Sequence, residues 1–303
     1  MFHTVWGSGC GVRTVHTLLT CGVTLLLLLH HPDLSPQENA WIHLPTLMFV
    51  LMVTCSTALY YGVSLMDPGY VLSDCNEKYP LSAANDKQEM TSLSQGALRM
   101  RRCGYCLLKQ PMRARHCKSC QRCVRRYDHH CPWIENCVGE KNHRVFIFYL
   151  VLQLLVLLWA VRIACDCTSR IVSAALEYNA GCNSGSVMYV QSDCTSRIVR
   201  TSPCRDLGRV AACQHLFACG VWCVIAVFTV VVSLLLVSHM YLISCNVTTW
   251  EFMSHHRIAY LKQCDSDTNP FDRGLIRNVW SFFCTCGNVV WERLYFRDAI
   301  TTV

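Results

Sequence analysis

Four apolar stretches organise the chain: residues 15–29, which close on five consecutive leucines, then 41–65, 145–164 and 216–243. At 1.5 Å per helical residue, a hydrocarbon core needs ~20 residues, which the last three stretches reach. The first is shorter and lies near the N-terminus, so a signal peptide competes with a membrane span there. His30, His31, Pro32 and Asp33 follow the leucines and offer no small-residue cleavage site, which favours the span. The pattern predicts an all-α polytopic membrane protein with four transmembrane helices. It divides the chain into residues 1–66 (N-terminal tail and helices 1 and 2), 67–144 (polar connection), 145–245 (helices 3 and 4 with a long loop) and 246–303 (C-terminal segment).

Composition agrees: 52% of the 303 residues are hydrophobic and only 16% charged, outside the range of an ordinary soluble domain. Lys and Arg give the orientation. Residues 30–40 contain none, whereas residues 67–144 contain fourteen, so the positive-inside rule puts 67–144 and both termini in the cytosol. The sequon at Asn246 is then cytosolic and stays unmodified. A net charge of +7 raises nucleic acid as a partner. The basic residues cluster beside the spans, however, where anionic headgroups or an anionic ligand at the membrane surface account for them, so no nucleic acid is expected.

Twenty-three cysteines sort by compartment. Those at 103–137 face a reducing cytosol and read as metal ligands and catalysis. Cys165, Cys167, Cys182, Cys194, Cys204 and Cys213 lie in or beside the second lumenal loop, where disulfides are allowed. Within that loop the seven residues from Asp166 recur from Asp193; two copies do not make a solenoid, and a local duplication or an assembly error in the coding sequence explains them. Cys10, Cys21, Cys55, Cys219 and Cys223 lie in or near spans and act as small apolar residues.

The richest chemistry lies between Cys103 and Cys137. Two tetrahedral zinc ions need eight ligands, and Cys103, Cys106, His116, Cys117, Cys120, Cys123, His130 and Cys137 supply them. Spacing leaves the division open: sequential sites, or interleaved sites with Cys103, Cys106, His116 and Cys123 on one ion and Cys117, Cys120, His130 and Cys137 on the other. A DNA-reading finger spaces its ligands differently. Too few apolar residues occupy the segment to form a core, so metal must supply folding energy, on the order of 10 kcal/mol per site. His129 and Cys131 are left over. With Asp128 they match an orienter, base and nucleophile set, in which an adjacent His depresses the thiol's pKa; the alternative makes them spare ligands or outer supports of the metal.

Asp128-His129-His130-Cys131-Pro132-Trp133, in this cysteine spacing and flanked by two pairs of spans, resembles the DHHC protein S-acyltransferases, or palmitoyltransferases. Asp67-Pro68-Gly69, Thr248-Thr249-Trp250-Glu251 and the Asn269–Gly274 element match three further motifs of that family. The resemblance implies the interleaved zinc pattern and a ping-pong reaction. Cys131 takes a palmitoyl group from acyl-coenzyme A, with His129 as base and Asp128 as its orienter, and passes it to cysteine thiols of membrane-associated proteins. It implies that the spans accept the acyl chain, that Arg113 contacts coenzyme A phosphate with Lys109 nearby (the family's Lys position is Gln110 here), and that Trp133 packs beside the thioester. It gives Thr248, Thr249, Glu251 and Asn269 an architectural role, and implies a Golgi or endoplasmic reticulum membrane. Two other readings exist: a catalytically silent zinc-dependent adaptor, and a thiol-disulfide oxidoreductase, which lacks a cysteine free to resolve.

Overall fold

The computed structural model describes residues 8–30, 43–72, 101–183, 204–262, 269–285, 289–292 and 294–295. Four long helices carry it: α1 (Ser8–His30), α2 (His43–Leu65), α3 (His143–Asn183) and α4 (Cys204–Ser244). Each holds a segment long and apolar enough to cross a membrane: Gly9–Leu29, Leu44–Leu65, His143–Asp166 and Ala218–Ser244. The first span starts six residues before the apolar stretch read from sequence. The hydroxyls of Thr14 and Thr17 donate to the carbonyls of Cys10 and Arg13 at 2.9 and 2.8 Å, so those polar side chains are satisfied inside the helix. The expected long loop between spans three and four also differs. Helix α3 runs on to Asn183 and α4 begins at Cys204, so the first copy of the repeat lies on a helix; the second copy and Cys194 lie outside the described residues.

The chain forms two compact units, one of residues 1–60 and 148–236, the other of 61–147 and 237–303. In the first, Phe49 and Val53 of α2 pack with Leu27, Val156, Ala160, Ile163 and Ile225. Ser56 donates to Gln153 Oε1 at 2.7 Å, and the Tyr149 hydroxyl lies 3.3 Å from His16 Nε2. Interhelical hydrogen bonds of this kind supply directional contacts that apolar packing in lipid does not.

The second unit is built on two short hairpins. Strand β1 (Arg115–Cys117) pairs antiparallel with β2 (Arg122–Val124), and β3 (His129–Cys131) with β4 (Asn136–Val138). Asp67 Oδ1 accepts from the backbone of Gly69 and Tyr70, both at 2.9 Å, and its Oδ2 from Lys141 Nζ at 2.8 Å. Pro68 and Gly69 follow, and their carbonyls accept from Lys141 N and Arg125 N. This turn fixes the end of α2 against β2. Asn136 Nδ2 donates to the carbonyls of Val63 and Met66, and Ser64 Oγ to that of Ile134, so the β3–β4 turn is fastened to the last turn of α2.

Gly139 follows β4 where a side chain has no room. A Cβ there would meet Val124 Cγ1 at 2.5 Å and the Pro68 carbonyl at 2.6 Å. Gly139→Ala is therefore expected to lower stability by about 1–3 kcal/mol, read as a lower thermal unfolding midpoint in detergent; an unchanged midpoint would contradict this packing.

Candidate active site and metal tetrads

The hairpins explain why the metal ligands interleave. His116 of β1 lies directly opposite Cys123 of β2, and His130 of β3 directly opposite Cys137 of β4. Each cross-strand His/Cys pair is completed by a C-x-x-C turn, Cys103 with Cys106 in the first case and Cys117 with Cys120 in the second. Both turns have the same form. Cys106 N donates to Cys103 Sγ and Cys120 N to Cys117 Sγ at 3.4 Å, and the residue after each turn, Leu107 or Gln121, has a positive φ. Cys117 ends β1 and Cys120 precedes β2, so the turn of the first hairpin serves the second tetrad. That overlap makes the sites interleaved and not sequential.

A tetrahedral ion with bonds of ~2.0–2.3 Å spaces its ligand atoms ~3.3–3.8 Å apart. Cys106 Sγ lies 3.2 Å and Cys123 Sγ 4.0 Å from His116 Nδ1. Cys120 Sγ lies 3.4 Å from both His130 Nδ1 and Cys137 Sγ, and Cys137 Sγ is 3.7 Å from His130 Nδ1. The residues fit two such ions.

Strand alternation separates the remaining groups. Successive side chains of β3 point to opposite faces, so with His130 turned to the tetrad, His129 and Cys131 share the other face. His129 Nδ1 is 2.7 Å from Asp128 Oδ2, and the Cys131 sulfur is another polar neighbour of the ring. Burial alone would lower the His129 pKa, but the bond to Asp128 and the neighbouring Cys131 sulfur outweigh it and raise it to about 9. Burial likewise opposes charge on Asp128; the neighbouring His143 and the hydrogen bond from His129 prevail and hold its carboxyl well below the usual range. Asp128 is buried and fully used: Thr249 N donates to Oδ1 at 2.8 Å and Thr249 Oγ1 to Oδ2 at 2.7 Å.

Thr249 is delivered there by its own helix start. Thr248 caps α5 (Thr249–Ser254): its Oγ1 accepts from Glu251 N at 3.2 Å, while Glu251 Oε2 accepts from Thr248 N at 2.9 Å, a reciprocal capping box. In T-T-x-E, then, the first Thr and the Glu start the helix and the second Thr grips Asp128. Asn269 Nδ2 donates to the Cys245 carbonyl at 2.5 Å, holding the C-terminal segment to the end of α4.

A model of the DHHC palmitoyltransferase family matches residues 98–256. The chain belongs to that family. Palmitoyltransferase ZDHHC12 of Homo sapiens is 45% identical to this family member over 96% of the chain and 93% of its own length. ZDHHC12-A of Danio rerio is 45% identical over 98% of both chains. Palmitoyltransferase ZDHHC17 of Homo sapiens is 30% identical over 84% of this DHHC chain, which covers 37% of that longer relative. The likeness of residues 248–274 to the vertebrate member numbered twelve, read from sequence, agrees with the first two.

Of the three residues expected to meet coenzyme A in this family member, Lys109 and Trp133 are exposed, Trp133 to 67%. Arg113 lies in a different environment. Its guanidinium is fully buried, donates to Glu251 Oε1 and Oε2 at 2.7 and 2.6 Å and to Asn246, and sits 4.3 Å from the Phe271 ring centroid. In this structure its donors are engaged by Glu251 and Asn246. Asn246, of the sequon, is buried too; its Nδ2 donates to the Phe271 carbonyl at 2.8 Å and its Oδ1 accepts from Arg113 and Arg126. Removing one partner of a buried ion pair strands the other, at ~3–5 kcal/mol. Arg113→Leu is expected to unfold the hairpin unit at lower temperature, and an added Glu251→Leu to recover part of that loss; equal midpoints for all three proteins would show the pair to be inert.

Sequence reading missed His143 and His239. His143 opens α3, and His239 lies on α4 with its ring centroid 5.6 Å from that of His129. An ionisable residue inside an apolar span was the available signal.

Proposed function

We propose that this protein is an S-acyltransferase that moves a palmitoyl group from palmitoyl-coenzyme A, through a thioester on Cys131, to cysteine thiols of membrane-associated proteins. The observation that carries the reading is the shared strand face: His129 and Cys131 are neighbours on one side of β3, with His129 Nδ1 held at 2.7 Å by a buried carboxylate. His129 shares the thiol's proton, leaving Cys131 Sγ able to attack the thioester carbonyl. The carbon–sulfur bond to coenzyme A breaks, and the leaving thiolate takes the proton from His129. In the second half an acceptor thiol gives its proton to His129 and attacks the Cys131 thioester, regenerating the Cys131 thiol. Asp128 keeps the imidazole in one tautomer and orientation throughout.

Two Zn²⁺ ions are the metals the tetrads suit, by thiolate and imidazole softness and by tetrahedral spacing. When bound, one would hold β1 to β2 through His116 and Cys123, and the other β3 to β4 through His130 and Cys137, and so set the position of Cys131. Exposed Lys109 and Trp133 remain for the coenzyme and the interface, and each buried CH₂ of the acyl chain adds ~0.8 kcal/mol. The cation-rich residues 67–144 support a cytosolic active site with both termini on the same side. Family membership supports a Golgi or endoplasmic reticulum membrane.

The test is intact-mass analysis of the detergent-purified protein after incubation with palmitoyl-coenzyme A, with peptide mapping. One hydroxylamine-labile palmitoyl group on Cys131 is expected. No adduct on a folded, metal-loaded sample, or one only on other cysteines, would favour a silent zinc-dependent adaptor.

A further inference from the structure

Around the Asp128–His129 pair, three imidazole nitrogens have no hydrogen-bond partner among the described residues: both of His143, and Nδ1 of His239. These side chains are 3% and 4% exposed. A buried polar atom left unpaired costs ~1–3 kcal/mol, so His239 calls for a missing partner, in a pocket whose other unpaired ring, His143, stays outside the site. One ligand atom each from Asp128, His129 and His239 lies within 4.8 Å of the others. We propose that Asp128, His129 and His239 form a third metal site, separate from the two tetrads, which takes a divalent transition-metal ion such as Zn²⁺ and silences the active site.

The donor set decides the class of ion. Two imidazoles and one carboxylate suit Zn²⁺, Co²⁺, Ni²⁺ or Cu²⁺, whereas Ca²⁺ and Mg²⁺ require mostly oxygen ligands. With no thiolate in it, the site differs chemically from the tetrads. The walls are dry: Phe146 packs edge-on against both rings, 5.8 Å from His129 and 5.3 Å from His239. The His129 side chain, 27% exposed, leaves an approach from solvent.

An ion held there displaces the proton that joins His129 Nδ1 to Asp128 Oδ2 across 2.7 Å; the two atoms move apart to the ~3.3–3.8 Å of a tetrahedral set, and that proton passes to solvent. No electron is transferred. The bonds from Thr249 N and Oγ1 already hold the carboxylate in place, so little ordering of that ligand is needed. With its ring bound to a dication, His129 no longer exchanges a proton with Cys131. Ion binding follows from the geometry; the block on activity rests on the acyl-transfer reading above.

The experiment uses the full chain in detergent micelles with two zinc ions per molecule, titrated with Co²⁺. One further ion per chain is expected, with d–d bands of a nitrogen and oxygen set, no new thiolate charge-transfer band, and parallel loss of acyl-enzyme formation. His239→Phe should abolish the third ion and raise the inhibitory Co²⁺ concentration beyond the roughly 10- to 100-fold that loss of an outer partner causes. Should that variant lose tetrad zinc, His239→Gln replaces it. The His256→Ala control, on an exposed ring, should bind as the parent does. Saturation at two ions, a thiolate-type spectrum, or a third ion that survives both His239 variants would overturn the proposal. A parent that forms no acyl-enzyme at any metal concentration would instead sink the acyl-transfer reading, with ion count and spectrum still deciding the site.

Discussion

Cys137→Ser is expected to unfold the hairpin unit, whereas Cys131→Ser, six residues away, leaves it folded and loses only acyl loading. The two thiols are both buried, at 0% and 6% exposure, so burial does not distinguish them. Strand parity and register do. Cys137 faces His130 across the hairpin and lies 3.4 Å from Cys120 Sγ, inside a tetrad that suits a structural ion worth on the order of 10 kcal/mol. A whole domain is stable by only about 5–15 kcal/mol, so crippling one tetrad removes most of what holds it. Cys131 pairs with Asn136 and turns to the His129 side. Metal analysis and acyl loading on the same samples check this: two ions and no adduct for Cys131→Ser, fewer than two ions and accelerated proteolysis for Cys137→Ser. A Cys131→Ser protein that lost zinc would make that thiol structural. Chelation strong enough to strip both tetrads should reproduce the Cys137→Ser result.

Fold class, spans and family were legible because they are written in long apolar runs and dense, closely spaced motifs. Four spans were counted, and four candidate spans are present among the described residues. The division of eight ligands between two ions could not be read from spacing, because adjacent C-x-x-C turns and histidines permit both splits. The register of strands three residues long settles it, and strands that short leave no periodicity to detect. The burial of Arg113 against Glu251 was illegible for a related reason. In sequence it is one more cation in a basic segment, and its partner Glu251 is 138 positions away. The roles of Asn136 and Thr249 are equally non-local: each depends on a chain segment brought in from elsewhere, α2 for one and Asp128, just before β3, for the other. His239 hid within a span, where length and apolarity drew the reading and a single imidazole did not alter it.

Asp128→Asn should slow acyl-enzyme formation by ~10²–10⁴-fold without loss of metal, the range spanned by general-base contributions and by amide replacement of a triad carboxylate. The carboxylate accepts from three donors: Thr249 N on Oδ1, and Thr249 Oγ1 and His129 Nδ1 on Oδ2. An amide offers one oxygen. If it faces His129, its NH₂ group opposes the Thr249 amide N–H; if it faces Thr249 N, the NH₂ group meets His129 Nδ1 and drives the imidazole to the wrong tautomer for Cys131. The support that raises the His129 pKa to about 9 also goes, since Asp128 supplies its first favourable contribution, and less of the imidazole is protonated near neutrality. Thr249→Val separates position from charge. It deletes only the hydroxyl bond to Oδ2, at ~1–3 kcal/mol, and keeps the carboxylate, so loading should fall about tenfold with the tautomer intact. Single-turnover loading of zinc-replete samples measures both. Equal rates for Asp128→Asn and the parent would remove Asp128 from the chemistry and leave its bonds to Thr249 as its whole purpose.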